Sequence, residues 1–264
     1  MYDLKAFVSL LDGFAPLELS RKMIEKGDYD NSGLLVKSSD TVNKALFTLD
    51  LTETALSRAL RLGCDTVVTH HPAIYAPLKS LSEDDIVSAP VLNAIKKGIN
   101  VISMHLNLDV AEGGIDACLC LGLGGTKYKI LDMLDEKHGY GREFSVAPVS
   151  LKEYSNRAKK VFGTNKIITY GKPGSTIKKV ASFCGGGAGH AEKCVINKIT
   201  DADLIVTSDM AHHVIKEILD GGKCVMIIPH YASEEYGFKK YYERVVDAIG
   251  DQVPSYYFDD KRFR

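Results

Sequence analysis

Two stretches of this chain spell the same pattern. Cys64-Asp65-Thr66-Val67-Val68-Thr69-His70-His71 and Ala202-Asp203-Leu204-Ile205-Val206-Thr207-Ser208-Asp209 each read as an aspartate, three residues rich in β-branched types, a threonine, and then polar residues of the kind that bind ligands. Short apolar runs of this sort, bounded by turn signals, read as buried strands. Each sits inside the same alternation of elements. In the first half a strand at 45–49 leads to a helix at 55–62, capped within 50–54 and closed by Gly63. The Val67 strand, a helix at 90–97 stopped by Gly98, and a strand at 101–104 follow. In the second half the order is a strand at 180–184, a helix at 191–199, the Leu204 strand, a helix at 214–219 and a strand at 225–228. Strands alternating with helices predict mostly parallel sheets with helices packed on their faces. The fold class expected is α/β: two similar α/β halves with mixed, mostly parallel sheets, their strand ends meeting at a central metal cleft. The first half is placed at 1–126, with a shared C-terminal segment, and the second at 127–264. The least patterned stretch, 127–144, lies beside that boundary, and 75–85 reads as a mobile loop.

Composition narrows the function. The chain has 264 residues, enough to bury a sizeable core, and its net charge is 33 − 34 = −1. Without a long basic run, neither nucleic acid nor an anionic membrane is an expected partner. No apolar stretch reaches the length of a membrane span, and residues 1–5 do not begin a signal peptide, so a cytoplasmic protein is expected. The six cysteines include no Cys-x-x-Cys pair and read as buried free thiols in a reducing compartment.

The chemistry gathers at the predicted strand ends. Thr69-His70-His71-Pro72 puts two imidazoles just past the carboxyl end of a buried strand, where open α/β sheets bind ligands. Along an extended chain adjacent side chains point to opposite sides, so each histidine is expected to serve a different ion. The strand at 101–104 runs into His105-Leu106-Asn107-Leu108-Asp109, and the strand at 225–228 into His230-Tyr231-Ala232-Ser233-Glu234. The two His-x-x-x-carboxylate runs are read as occupying the same place in the two halves. His230 and Glu234 face one point if a helix begins there. His70, His71, Asp109, His230 and Glu234 give three imidazoles and two carboxylates, a donor set for two divalent ions with coordination positions left open. Nitrogen and oxygen donors suit zinc, iron, manganese, cobalt or nickel and do not choose among them. Open positions favour metal-dependent hydrolysis; a non-catalytic metal-binding interaction or scaffold protein is the alternative. The run Gly185-Gly186-Gly187-Ala188-Gly189 reads as a tight turn more readily than as an anion cradle.

Taken together, Thr69-His70-His71-Pro72, His105-x-Asn107-Leu108-Asp109, Cys184-Gly185-Gly186, Thr207-Ser208-Asp209 with His213, and His230-x-x-x-Glu234 resemble the GTP cyclohydrolase 1 type 2 family, also called NIF-three-like or YbgI-like. Tyr29-Asp30-Asn31-Ser32-Gly33-Leu34 resembles that family's early Asp-Asn-x-Gly-Leu signature. The resemblance implies a two-domain α/β fold assembled as a homohexamer, with a dinuclear metal centre in each subunit. Its metal ligands fall on His70, His71, Asp109, His230 and Glu234. It implies a small-molecule or nucleotide substrate, the family name pointing to hydrolytic opening of the guanine ring of GTP. His105 matches a family histidine placed beside the site or facing substrate, and His213 is expected to support the ligands. The chain departs from the family where Ser208 replaces a usual glycine. His138, His190 and His212 carry no pattern and are read as incidental.

Overall fold

Both expected β-α-β-α-β runs form. The computed structural model describes residues 1–263. In chain order the elements begin with β1 (Tyr2–Asp3), α1 (Leu4–Phe14), α2 (Leu17–Glu25), β2 (Gly33–Val36), β3 (Thr41–Val42) and β4 (Ala45–Thr48). Next come α3 (Glu53–Leu62), β5 (Thr66–Thr69), α4 (Ala89–Lys96), β6 (Asn100–Ser103), α5 (Leu106–Val110) and α6 (Ile115–Gly122). The chain continues through β7 (Tyr128–Met133), β8 (Gly139–Ser150), α7 (Leu151–Val161), β9 (Ile168–Tyr170), β10 (Thr176–Ser182) and α8 (Ala188–Ile196). It continues with β11 (Leu204–Thr207), α9 (His212–Asp220), β12 (Cys224–Ile227), α10 (His230–Ile249) and β13 (Ser255–Tyr257), with short 3-10 helices at Gly250–Gln252 and Lys261–Phe263. Among the described residues no helix is long and apolar enough to cross a membrane.

The chain forms two compact units, one of residues 1–108 and 238–260, the other of 109–237 and 261–263. Residue 126, the boundary expected from sequence, lies within the second unit. Helices α5 and α10 each contribute residues to both units.

In the first unit five strands are ordered β13-β4-β5-β6-β2, with β13, β4, β5 and β6 parallel and β2 antiparallel at the edge. Alternate residues of a strand face opposite sides, and the sheet uses both. Leu46, Val67 and Val101 pack with Leu56 and Ala59 of α3 and Val91 and Ala94 of α4. Phe47, one residue on from Leu46, meets Phe238, Tyr241 and Tyr242 of α10, with ring centroids 6.4, 6.5 and 5.2 Å away. Helix α3 starts and stops where its sequence says: Thr52 Oγ1 accepts from Ala55 N, and Gly63 closes the helix at φ +70°.

In the second unit six strands are ordered β7-β8-β10-β11-β12-β9. β10, β11 and β12 are parallel, and β7, β8 and β9 pair antiparallel around them. The β7–β8 hairpin fills the stretch that carries no pattern in sequence. Residues 139–142 are all buried, so no polar face alternates with an apolar one. Gly141 lies against the Phe183 ring, and Arg142 is 1% exposed. A buried arginine in a glycine-bearing strand hides the period-2 signal that would have announced it.

The repeat is visible bond by bond. Asp65 carboxylate oxygens accept from Asn43 N at 3.0 and 3.1 Å, and Asp203 Oδ2 accepts from Lys178 N and Lys179 N at 2.8 and 2.9 Å. The two aspartates therefore do the same work: each ties the start of a parallel strand to backbone N–H groups on the N-terminal side of the neighbouring strand pairing. Met104 N donates to Thr69 O at 2.9 Å, and Ile228 N to Thr207 O at 3.0 Å. Matching those bonds aligns His105 with Pro229, so the two His-x-x-x-carboxylate runs are one residue out of step rather than equivalent.

Candidate metal centre

The histidines of the first unit stand where β5 and β6 stop. β5 ends at Thr69, before His70, so the alternation of an extended strand no longer governs the pair. Their rings do not splay to opposite sides: the centroids of His70 and His71 are 4.9 Å apart. His105, just past β6, joins them at 5.3 Å from His70 and 5.8 Å from His71. Each of the three offers a ring nitrogen within 4.8 Å of the others.

Each ring is held the same way. His70 Nδ1 donates to the Met104 carbonyl at 2.8 Å, His71 Nδ1 to Asp50 Oδ1 at 2.7 Å, and His105 Nδ1 to Asp30 Oδ1 at 2.7 Å. Carbonyl and carboxylate oxygens only accept, so the proton of each neutral imidazole sits on Nδ1 and the lone pair on Nε2. An oxygen behind the ring is the usual partner of a metal-ligating histidine; it fixes tautomer and orientation and raises basicity. Asp30 is itself supported. Burial works to raise its carboxyl, but hydrogen bonds from His105, Ser20 and Ser32 outweigh this and hold it below the ordinary carboxylate range. Asp50, expected only as part of a helix cap, proves to be the partner of His71, while Thr52 does the capping. A carboxylate at the end of β4, beside the end of β5, was the signal available in sequence. Asp50→Ala is expected to leave folding unchanged and weaken metal binding about 10–100-fold, measured by competition with a coloured chelator.

In the second unit the carboxylates gather. Asp109 on α5 and Glu234 in the first turns of α10 are each 2% exposed, and they offer oxygens within 4.8 Å of one another. Two ionised carboxylates this close and this dry repel strongly unless a cation or proton lies between them. His230 Nε2 lies 2.9 Å from Glu234 Oε1, and its Nδ1 donates to Asp209 Oδ2 at 2.5 Å. The His-x-x-x-Glu spacing thus works through a helical turn, as its spacing predicts.

The strand end at β10 closes round this group. Gly185 has φ +50°, and a Cβ there would run into Glu234 Oε1 and come within 3.2 Å of His230 Nε2. The first residue of the glycine run is therefore a cradle for two candidate ligands. Cys184 Sγ lies 3.5 Å from Asp109 Oδ1. Burial, then the charges of Asp109, Asp116 and Glu234, push its thiol well up, so it acts as a neutral donor. All six cysteines are buried and none is in a disulfide.

Beneath the cradle is a pair that the sequence reading missed. Asp116 Oδ2 accepts from Arg142 Nη1 at 2.8 Å, and Asp116 Oδ1 accepts from Cys184 N at 3.0 Å. Arg142 also donates to the carbonyls of Gly139 and Gly141. Ser208 fits where the family has glycine, its Oγ 2.9 Å from Ser233 Oγ. His213 is exposed on α9, and the residue bonded to Asp209 is His230 instead. His190 is not incidental: its Nδ1 donates to Asp132 Oδ2 at 2.8 Å, and its ring stacks on Tyr140 at 4.6 Å.

Neutral imidazole nitrogens in one unit, and an imidazole with two buried carboxylates in the other, are donors suited to divalent cations. Comparison with known proteins gives the family. A GTP cyclohydrolase 1 type 2 homolog of Clostridium perfringens is 28% identical over 257 residues, covering 95% of this chain and 94% of that protein. A NIF3 homolog of Schizosaccharomyces pombe is 31% identical over 228 residues, covering 80% of this chain and 79% of that one. The crystal structure of a Bacillus cereus protein related to NIF3 superposes with a TM-score of 0.85 at 19% identity, over 97% of this chain and 96% of that one, and so shares the fold. The profile of the Duf34/NIF3 (NGG1p interacting factor 3) family matches residues 2–259, and the chain belongs to that family.

Proposed function

We propose that the protein binds two divalent metal ions per subunit through His70, His71, Asp109, His230 and Glu234, and that it is a metal-dependent hydrolase. The observation that carries this reading is the common tautomer. Histidines 70 and 71 each donate Nδ1–H to an oxygen, which leaves Nε2 as the ligating nitrogen, while His230 donates Nδ1–H to Asp209 and its Nε2, 2.9 Å from Glu234 Oε1, would exchange a proton for a metal ion. Each unit brings its own kind of donor. The first brings imidazoles without an added carboxylate. The second brings two carboxylates whose charge needs compensation. Bound divalent cations would answer to both the imidazole nitrogens and the carboxylate charge.

Divalent ions bound there would supply Lewis acidity toward water and toward an electrophilic carbon or phosphorus. The chain's own part is to orient the ligands. Asp50 and Asp209 hold the protons of His71 and His230 on Nδ1. Gly185 leaves room for Glu234. His105, oriented by Asp30, stands beside His70 and His71 as a group that can face substrate. The names of the relatives direct the substrate search to GTP, and the family resemblance directs the search for assembly to a homohexamer in the cytoplasm.

Elemental analysis of the purified protein tests the centre: two divalent ions per chain are expected, and none would overturn it. Metal-dependent release of formate from GTP, or turnover of a small ester panel, tests the activity. Two ions bound with no turnover of either class would favour the non-catalytic alternative, a metal-binding interaction protein.

A further inference from the structure

We infer that Tyr29 and Tyr75 form a ring-binding rim beside the histidine cluster and select substrates in which a planar aromatic ring flanks the group that meets the metal. The inference rests on the metal-centre reading. Both side chains are large and half in solvent, 50% and 52% exposed. They touch each other edge to face, with centroids 4.9 Å apart at 69°. Tyr75 also stands perpendicular to the His105 ring, 6.4 Å away at 88°. The rim is thus continuous with the imidazoles through His105.

Exposed tyrosines on mobile loops would mean little; these are anchored. Asn31 Nδ2 donates to the Ile74 carbonyl at 2.6 Å, joining the two loops one or two residues from each ring. On the Tyr29 side, Asp30 accepts from His105 Nδ1, Ser32 Oγ and Ser20 Oγ, and Ser32 Oγ accepts from His105 N at 3.1 Å. Tyr29 therefore follows the position of His105. The hydrogen bonds that orient a site histidine also set the height of the aromatic rim above it. Aromatic faces prefer offset or edge-on contact with other rings, and a ring held rigidly at a site mouth loses little freedom on binding. Apolar but non-planar groups would gain area there without the ring geometry.

Hydroxamates separate the two parts of the claim, because the chelating group is constant and the substituent varies. Acetohydroxamate, cyclohexanecarbohydroxamate and benzohydroxamate are titrated into the metal-loaded protein by calorimetry, with metal content measured for every variant. The wild type is expected to bind benzohydroxamate at least about tenfold more tightly than the other two, from the strength of ring stacking on an aromatic side chain. Tyr75→Ala and Tyr29→Ala are each expected to remove most of that preference. Acetohydroxamate affinity and metal content should stay unchanged, and Tyr75→Phe and Tyr29→Phe should retain the preference within about twofold. Equal binding of the cyclohexyl and phenyl probes overturns the inference, as does a preference that survives both alanine variants. Loss of metal or of acetohydroxamate binding in those variants also overturns it, since the tyrosines would then serve the centre itself. Failure of the metal centre looks different: the wild type would hold no metal and bind none of the three probes.

Discussion

Asp116→Ala is expected to destabilise the protein by about 3–5 kcal/mol, seen as a lower midpoint of urea unfolding with an unchanged slope. A native domain has only about 5–15 kcal/mol to lose. The cost arises because Arg142 cannot neutralise itself. Its guanidinium is 1% exposed, keeps its charge at any working pH, and would be left with the carbonyls of Gly139 and Gly141 and the face of the Tyr128 ring, but with no anion. Arg142→Met should cost less, because the residue left behind can take a proton. Burial already pushes the Asp116 carboxyl upward, and without Arg142 its strongest opposing influence is gone. A carboxyl whose folded value lies above its unfolded value contributes stability at low pH and loses it as pH rises through the folded value. The Arg142→Met protein is therefore expected to weaken from about pH 4 upward, whereas Asp116→Ala should show no such added dependence. Replacing both residues by apolar ones should recover part of the loss. Equal cost for both single variants at all pH values would show that the pair is not the buried ion pair described.

The α/β alternation was legible because its elements obey local rules. Helix α3 carries its cap at Thr52 and its stop at Gly63, and the parallel strands are short β-branched runs between turn signals. The candidate site residues were legible for a related reason: His70, His105 and His230 lie just past strand ends, where α/β sheets bind ligands. What escaped detection depends on partners distant in sequence. Arg142 reads as a surface residue until Asp116, on another element, is known to face it. Asp50 reads as a cap until His71 is placed beside it. The outward splay expected of His70 and His71 failed because no local rule says that β5 stops one residue before them. The one-residue offset between the two His-x-x-x-carboxylate runs has the same origin. Sequence spacing counts residues from the motif, whereas the sheet counts from its last hydrogen bond.

Glu234→Ala and His70→Ala are each expected to strip metal from the protein while leaving the fold in place, with at most one ion per chain retained. The two variants lose it for different reasons, which makes the pair informative. Glu234 is one of two buried carboxylates with oxygens within 4.8 Å of one another. Removing it lowers the charge that attracts a cation and relieves repulsion in the metal-free state. The metal-free Glu234→Ala protein should therefore be no less stable than the metal-free wild type. His70 is fully buried, its ring 5.8 Å from that of Phe238, so alanine leaves a void and should cost on the order of 2 kcal/mol in either state. Metal that binds only the folded chain stabilises it by about 4 kcal/mol when free metal exceeds its Kd a thousandfold. Adding a strong chelator should consequently lower the Tm of the wild type by more than that of either variant. Full metal content in either variant, or a wild-type Tm indifferent to the chelator, would remove the assignment of these residues as ligands.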